Sequence, residues 1–524
     1  MPAEVLMTLK EESTKAPAIE VFAVHGVDPE VQAYAMAKYS RSALSMKESL
    51  REINEQKAEK FLNTFYFQYG HRSIADLAHV AMAIEKLSIL AAITLVDEQR
   101  WDGQERSTRY QDFRKGGYYT PEFGGDREAQ GWFQDTVDSL FRDYESLSEA
   151  ISEYLVRLTP RPEEMKSEAY ERTLRARAFD VTRYLLPLAT NTSLGQIVNA
   201  RTLEAQISRL LSDEHAEVQH LGEKLKEASR EPAWNVNQAK FNELIEKLRQ
   251  LDEGLAHEAS ELLLREVRVA PTLVKYAERN PYLVETRQEL RQAAAELMRD
   301  AAIEPAPAVE LLDGEPLEIE AATTLLYEHC HYPYRQVRER VEALSGAQRE
   351  ETIALGVRHR GRHDELPRAF AAGQGLRFDI LMDIGGFRDL HRHRRCIQIG
   401  QEFTTAHGYD TPDEIIAAGQ RDIYDAAMLR AGDAYRRLAT KDPSGAGREG
   451  APYVIPLAFR RRTLFKMDLA EAVYIAELRS KPEGHISYRR VAYAMYEEVA
   501  KRFPGLAGLF RVRDVKEAVD LLRR

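Results

Sequence analysis

Five consecutive basic or titratable side chains, His391 to Arg395 in the stretch DLHRHRRC, could do chemistry together. An Arg guanidinium pairs with phosphate at two points, and a neutral His adds hydrogen-bond donors without permanent charge. The chain carries 84 acidic residues against 73 Lys and Arg, a net charge of −11. Positive charge concentrated on that background predicts a specific anionic ligand. The alternative is a basic surface corner that the surrounding acids neutralise.

A second polar stretch, WDGQERSTRYQDF at residues 101–113, resembles half of a site. Ser107 and Arg109 suit a phosphate through a hydroxyl, backbone N–H groups and a guanidinium. Glu105 beside them would anchor a base or a ring edge. The alternative is a turn with a surface ion pair.

Composition narrows the class of protein. The acidic balance argues against general binding to nucleic acid or to a membrane surface. Two cysteines, Cys330 and Cys396, exclude a disulfide scaffold and a Cys-rich zinc site and fit a reducing compartment, and Cys396 is expected to be structural. No HExxH, CxxC or P-loop motif is present, and no metal site is expected. We expect a cytoplasmic protein without a secretory signal or a membrane span.

Short motifs recur in the same order in the two halves of the chain, which favours a tandem duplication. The pairs are YGHR with GRHD, QERSTRY with QEFTTAHGY, RYLLPLA with YVIPLAF, and LLSDEH with LRSKPEGH. Each half also reads as strand, helix and polar loop: residues 80–84 and 376–380 alternate like strands before a helical stretch. We expect domains at 1–300 and 321–524, joined by a Pro-rich linker at 301–320.

These motifs resemble the flavin-dependent thymidylate synthases, the ThyX family. That family carries an RHR triplet, a polar S-x-R-Y loop, a histidine in a GH turn, an LPL stretch, an N-A-R helix start, and an Arg followed by a His. The resemblance covers residues 60–260 and 350–510 and implies two fused units. The implied fold is α+β, each unit being a small antiparallel sheet packed with long helices.

The two halves have complementary losses. The first half keeps the GH turn, the Glu105–Tyr110 loop, LPL, N-A-R and a final His, but has Asp97-Glu98-Gln99 in place of RHR and Ser193 in place of an Arg. The second half keeps RHR, two arginines and a final His, but has lost the S-x-R-Y loop and N-A-R. Because the family builds its sites from several subunits, the resemblance implies composite sites between the two halves. Asn199 and Arg201 would then join Arg392, His393 and Arg394.

The resemblance also implies roles for individual residues. The implied catalytic residues are Glu105, Ser107 and Arg479. The implied cofactor-binding residues are His71, Ser73, Asp76, Asn199, Arg201, His215, Arg392, His393, Arg394, Gln401 and Glu402. The implied substrate-binding residues are Arg109, Arg462, Arg479 and Ser107.

The implied activity is reductive methylation of dUMP to dTMP, with FAD as cofactor and NADPH and methylenetetrahydrofolate as co-substrates. The cofactor carries the difficult chemistry, while the protein supplies position and electrostatics. The implied assembly is a homodimer, a pseudo-tetramer of ThyX units. Two alternatives stay open: a flavin-dependent enzyme acting on a different nucleotide or pyrimidine, and a non-catalytic nucleotide-binding protein on this scaffold.

Overall fold

The computed structural model describes residues 26–38, 46–47, 50, 55–63, 72–113, 117–314, 316–361, 367–370, 375–442, 445–517 and 521–522. Its strands are β1 His79–Ser88, β2 Asp102–Glu105, β3 Asn191–Asn199, β4 Val309–Leu311, β5 Leu376–Asp383, β6 Ile397–Gly400 and β7 Arg460–Met467. Its helices are α1 Pro29–Lys38, α2 Glu55–Leu62, α3 Ile89–Leu95, α4 Arg127–Leu158, α5 Ser167–Thr182, α6 Ala200–Leu211, α7 Ala216–Arg230, α8 Gln238–Arg249, α9 Glu253–Leu263, α10 Pro281–Leu297, α11 Leu317–Tyr327, α12 Tyr334–Glu342, α13 Gly346–Leu355, α14 Ile384–Leu390, α15 Asp413–Ala417, α16 Arg421–Lys441, α17 Ala446–Gly450, α18 Leu469–Arg479 and α19 Ile486–Arg502.

The first sheet has the order β1-β3-β2, with both pairings antiparallel. The alternating pattern at residues 80–84 forms β1, and Ser88 caps α3 by accepting a hydrogen bond from the Ala91 N–H. Strand β2 then returns along β3 and leads into the polar loop that starts at Glu105. The predicted sequence of strand, helix and polar loop is confirmed in this repeat.

The second sheet repeats this arrangement with one added strand, in the order β4-β5-β7-β6. Strands β5, β7 and β6 correspond to β1, β3 and β2, and all pairings are antiparallel. The α+β prediction of two small antiparallel sheets with long helices is confirmed. The predicted linker at 301–320 is wrong in one respect, because β4 pairs with β5 and α11 begins at Leu317.

The two repeats are joined through their LPL-type stretches by reciprocal backbone hydrogen bonds. The Leu188 N–H donates to the Ile455 carbonyl oxygen at 2.9 Å, and the Leu457 N–H donates to the Leu186 carbonyl oxygen at 3.0 Å. Each stretch thus donates one backbone N–H to a carbonyl oxygen of the other stretch, as an internal two-fold relation requires. The second repeat therefore faces the first, and residues from both can meet in one chain.

Two long helices flank this junction. Helix α4 buries a stripe at spacings of three and four residues, comprising Phe133, Val137, Leu140, Tyr144, Leu147, Ile151 and Leu155. It packs against α16, its counterpart in the second repeat. Asp126 caps α4 by accepting hydrogen bonds from the N–H groups of Glu128 and Ala129. The junction between the repeats is therefore flanked by two helices that pack on each other.

Both sheets lie in one compact unit, formed by residues 78–231 and 270–524. The second unit is formed within residues 1–77 and 232–269 and includes α1, α2, α8 and α9. The predicted boundary at residue 300 therefore does not separate two compact domains. None of the described helices combines the length and the apolarity that a membrane crossing requires.

Candidate active site

The polar loop after β2 meets the second repeat through Arg109. Its guanidinium binds Asp180 of α5 at two points, 2.8 and 2.9 Å, and donates to the Tyr488 hydroxyl of α19 at 3.0 Å. A further donor reaches the Glu483 carbonyl oxygen at 3.3 Å. Burial opposes the charge of Arg109, but Asp180 outweighs it and raises the Arg109 pKa. Most donors of this predicted substrate-binding side chain are thus used inside the protein.

Glu105 makes a second bridge between the repeats. It receives hydrogen bonds from Arg388 of α14 and, at 3.3 Å, from the Thr192 hydroxyl, both on Oε1. Arg388 also donates to the Thr108 hydroxyl at 3.4 Å. Nearby, Arg183 and Asp389 form a pair at 3.3 Å. Residues 101–113, predicted to be half of a site, therefore contact α14 and the start of α19 in the second repeat.

The stretch DLHRHRRC begins where α14 ends. His391 and His393 are buried, Arg394 is half-buried, and Arg392 and Arg395 are exposed. Arg479 of α18 donates to His393 Nε2 at 2.8 Å, while His393 Nδ1 lies 3.5 Å from Glu471. Arg479 also lies over the Tyr488 ring at 5.6 Å, as Arg109 does at 5.7 Å. The ring of Tyr488 thus lies near two of the three predicted substrate-binding arginines, Arg109 of the first repeat and Arg479 of the second.

The acidic loop of the first repeat packs against this basic stretch. A small cavity of about 10 Å³ is lined by Asp97, Glu98, Gln99, Arg368, His391, His393, Arg394, Cys396 and Gln398. Asp97 pairs with Arg368 and lies 3.7 Å from His391 Nε2. Burial opposes ionisation of Asp97, but Arg368 and His391 lower its pKa below the ordinary value. Asp97, which stands where the first repeat has lost RHR, therefore faces Arg368 and His391 of the second repeat.

Burial sets the protonation of the histidines here. It lowers the pKa of His391 to about 4 and the pKa of His485 to about 3. Burial also lowers the His393 pKa. These rings are neutral at pH 7, so the permanent positive charge comes from the arginines. Burial raises the pKa of the Cys396 thiol to about 12, which agrees with its expected structural role.

The second repeat's own loop forms a separate polar cluster with the first repeat. Arg291 bridges Glu402 at 2.6 Å and Glu214 at 3.0 Å, and His215 pairs with Asp213 at 2.8 Å. Gln401 is fully buried and donates to the Tyr332 carbonyl oxygen at 3.0 Å. The structure thus brings Glu402 and His215 near the same polar cluster. This cluster is distinct from the group of residues that Arg109 contacts.

Arg462 belongs to the interior of the second repeat. It is 2% exposed and pairs with the fully buried Asp379 at 2.9 Å. Among the described residues, no contact joins Arg462 to Arg479, although both were predicted to bind substrate. A buried guanidinium paired in this way chiefly satisfies the carboxylate beside it.

The remaining predicted residues have other surroundings. Asn199 caps α6, accepting from the Thr202 N–H at 2.8 Å, and Arg201 lies in the first turn of α6. The basic stretch instead contacts Asp468 and Glu471 at the start of α18 in its own repeat. Ser73 and Asp76 lie in a 3₁₀ segment of the other compact unit, and His71 lies outside the described residues.

Several residues of this region escaped the sequence analysis. They are Asp180, Arg183, Arg388, Asp389 and Tyr488. Arg388 and Asp389 adjoin the basic stretch, and Asp180 and Arg183 stand three apart on a helix, a spacing typical of ion pairs. No comparable feature of the sequence pointed to Tyr488.

Comparisons with known proteins place the chain in a family. The profile described as "Thy1: Thymidylate synthase complementing protein" matches residues 23–232 and 316–505. A UPF0159 protein of Chlamydia pneumoniae is 29% identical over 96% of this chain and 93% of its own length. A UPF0159 protein of Thermoplasma acidophilum is 26% identical over 91% of this chain and 94% of its own length.

A flavin-dependent thymidylate synthase of Clostridium tetani is 25% identical over 34% of this chain and 67% of its own length. The solved ThyX of Helicobacter pylori, complexed with FAD and dUMP, matches with a TM-score of 0.26 and 14% identity over 38% of this chain and 89% of its own. The double match to the family profile agrees with the two sheets described above. The chain belongs to the thymidylate synthase complementing protein family, Thy1, as a tandem-duplicated, ThyX-like member.

Proposed function

We propose that this chain is a flavin-dependent enzyme that converts dUMP to dTMP, using FAD with NADPH and methylenetetrahydrofolate as co-substrates. The observation that carries the proposal is the meeting of Glu105 and Arg109 of the first repeat with Arg388 and Tyr488 of the second, where Arg479 also lies over the Tyr488 ring. Family membership supplies the reaction class. The proposed site is composite and draws residues from both repeats.

The residues present fit an anionic cofactor and substrate. Arg183 Nε and Nη2 and Arg388 Nε are buried without a hydrogen-bond partner in the described part of the chain. Arg392 is exposed four positions after Arg388. Such unsatisfied donors favour groups rich in acceptor oxygens, as phosphates and pyrophosphates are. A bound flavin would supply the hydride; the protein's own residues bind, orient and exclude water.

In this proposal Arg479 and Arg392 bind the phosphate groups, and Ser107 adds its hydroxyl. His393 and Tyr488 hold Arg479 in place. Arg388 and Thr192 engage Glu105 Oε1 and leave Oε2 to accept from an N–H of the base. Arg109 acts through Tyr488, which it fixes at the junction of the repeats. We also propose that two chains associate, so that four repeats form the assembly.

A second candidate is favoured by one observation: the Arg109 donors and one Glu105 oxygen are already engaged within the chain. That arrangement suits a nucleotide-binding protein without catalysis, or an enzyme acting on a different nucleotide or pyrimidine. The non-catalytic reading expects Arg392→Ala and Arg201→Ala to leave function intact.

Rescue of a thymidine auxotroph tests the proposed reaction. We expect the wild-type chain to rescue growth and Arg479→Ala to fail. The matched control is Arg421→Ala, whose exposed guanidinium pairs with Asp425 one helical turn away. No rescue by soluble wild-type protein would favour the second candidate.

A further inference from the structure

The hairpin of α8 and α9 carries an exposed apolar face. Leu244 is 46% exposed, Leu251 83%, Leu255 50% and Leu262 73%. Leu244 and Leu251 stand seven residues apart, as do Leu255 and Leu262, so each pair lies on one side of its helix or of the turn that extends it. This helical hairpin lies outside both segments that match the family.

Helical periodicity places both leucine pairs on the same side of the hairpin. The inner faces are marked by the buried residues Ile245 of α8 and Ala256 of α9. Successive residues of a helix are rotated by about 100°. In each helix the leucine side chains therefore point roughly a quarter turn away from the inner face, in the direction of the preceding residue. Because the helices are joined by a short turn and run antiparallel, equal rotations point to one common face. The opposite face carries polar side chains such as Asn242 and His257.

The charges beside this face are complementary between the two helices. Lys247 lies between Leu244 and Leu251, and Glu258 lies at the same position between Leu255 and Leu262. Helix α8 carries three basic and two acidic side chains, whereas α9 carries three acidic side chains and no Lys or Arg. A surface that pairs with itself through a two-fold axis needs such an arrangement.

We propose that this face binds the same face of a second copy of the chain, forming a four-helix bundle. Helix α8 of one chain packs antiparallel on α9 of the other, so that the leucines are buried together and Lys247 meets Glu258 twice. Burial of apolar side chains drives the association, and the exposed charge pairs chiefly select the orientation. The opposite choice, α8 on α8, would bring two Lys247 side chains together.

The test is the mass of the full chain in solution, measured by light scattering after gel filtration. We expect wild type at twice the chain mass of 59.8 kDa and the double variant Leu251→Asp/Leu262→Asp at the chain mass. The matched control Asn242→Asp/His257→Asp adds the same charges to the polar face and should leave the dimer intact. Circular dichroism checks that each variant is folded.

Two outcomes would overturn the inference. A monomeric wild type would leave the face to a different partner, and a dimer that survives the leucine substitutions would place the interface elsewhere. The orientation has its own test, which does not depend on replacing leucine. Lys247→Glu alone should weaken the dimer, and Lys247→Glu with Glu258→Lys should restore it; equal weakening by both would contradict the packing of α8 on α9.

Discussion

At the scale of single residues, the site region is built from buried charges that satisfy one another. Arg109 and Asp180 are 8% and 4% exposed, and their two-point pair has little access to water. Removing one partner of such a pair is costly because it leaves the other charge buried and uncompensated. The sequence singled out Arg109, but its partner lies 71 positions away and only the fold brings the two together.

Asp180→Asn should therefore destabilise the chain by about 3–5 kcal/mol. The control is Arg490→Gln, which removes an exposed pair with Asp413 and should cost no more than about 1 kcal/mol. Urea unfolding followed by circular dichroism measures both. Equal, small effects would show that the Arg109 pair is not the buried support described here.

The neutral histidines make stability depend on pH. The His391 pKa is about 4 in the folded protein, mainly because of burial, against an ordinary 6.5. The unfolded state then binds more protons between these values, so the stabilisation is complete above pH 6.5 and is lost as the pH falls toward 4. His391→Gln should reduce the slope of unfolding free energy against pH by about 1.4 kcal/mol per unit in that window. An unchanged slope in urea unfolding at several pH values would contradict the buried neutral ring.

At the scale of elements, the edge strand β2 positions the polar loop, and Gly103 lets it approach β3. A Cβ on Gly103 would lie 2.3 Å from the Gly195 carbonyl oxygen and 2.5 Å from the Trp101 ring. Neither the backbone nor a buried aromatic ring can move aside at a low cost in free energy. The strand and helix of each repeat were predictable from periodicity, whereas this close approach was not, because it depends on a contact across the sheet.

Gly103→Ala should therefore lower the thermal unfolding temperature and displace Glu105 from Arg388. Gly131→Ala is the matched control: its Cβ meets nothing within 4 Å in helix α4, so it should stabilise by about 0.5–1 kcal/mol. Differential scanning calorimetry compares the two variants. A Gly103→Ala protein as stable as wild type would mean that β2 does not need this approach.

At the scale of the whole molecule, duplication and complementary loss have given the two repeats different surfaces within one compact unit. The order of repeated motifs predicted the pairing of the halves, and the reciprocal Leu188 and Leu457 hydrogen bonds give it a physical form. The sequence did not reveal that Asp97 would face the basic stretch, because the two segments lie far apart in the chain. The sequence also predicted that Arg462 and Arg479 bind substrate together. In the structure Arg462 pairs with Asp379, whereas Arg479 donates to His393.

Unfolding of this unit should be shared by both repeats. The chain has three tryptophans. Once Trp234 is replaced by Phe, the fluorescence comes from Trp101 and Trp132 of the first repeat, whose rings contact Arg394 and Lys441 of the second. In that background Arg388→Ala, a change in the second repeat, should lower the fluorescence and circular dichroism midpoints by the same amount. A shift seen only by circular dichroism would mean that the repeats unfold separately.

The central claim is that residues of both repeats form one flavin and nucleotide site. Its most direct test is the visible absorption spectrum of the purified protein with FAD, followed by titration with dUMP. We expect a bound-flavin spectrum that dUMP perturbs, loss of flavin binding in Arg392→Ala, and loss of the dUMP response in Glu105→Ala, with Arg421→Ala like wild type. A protein that takes up no FAD, or a dUMP response that survives Glu105→Ala, would contradict the composite site.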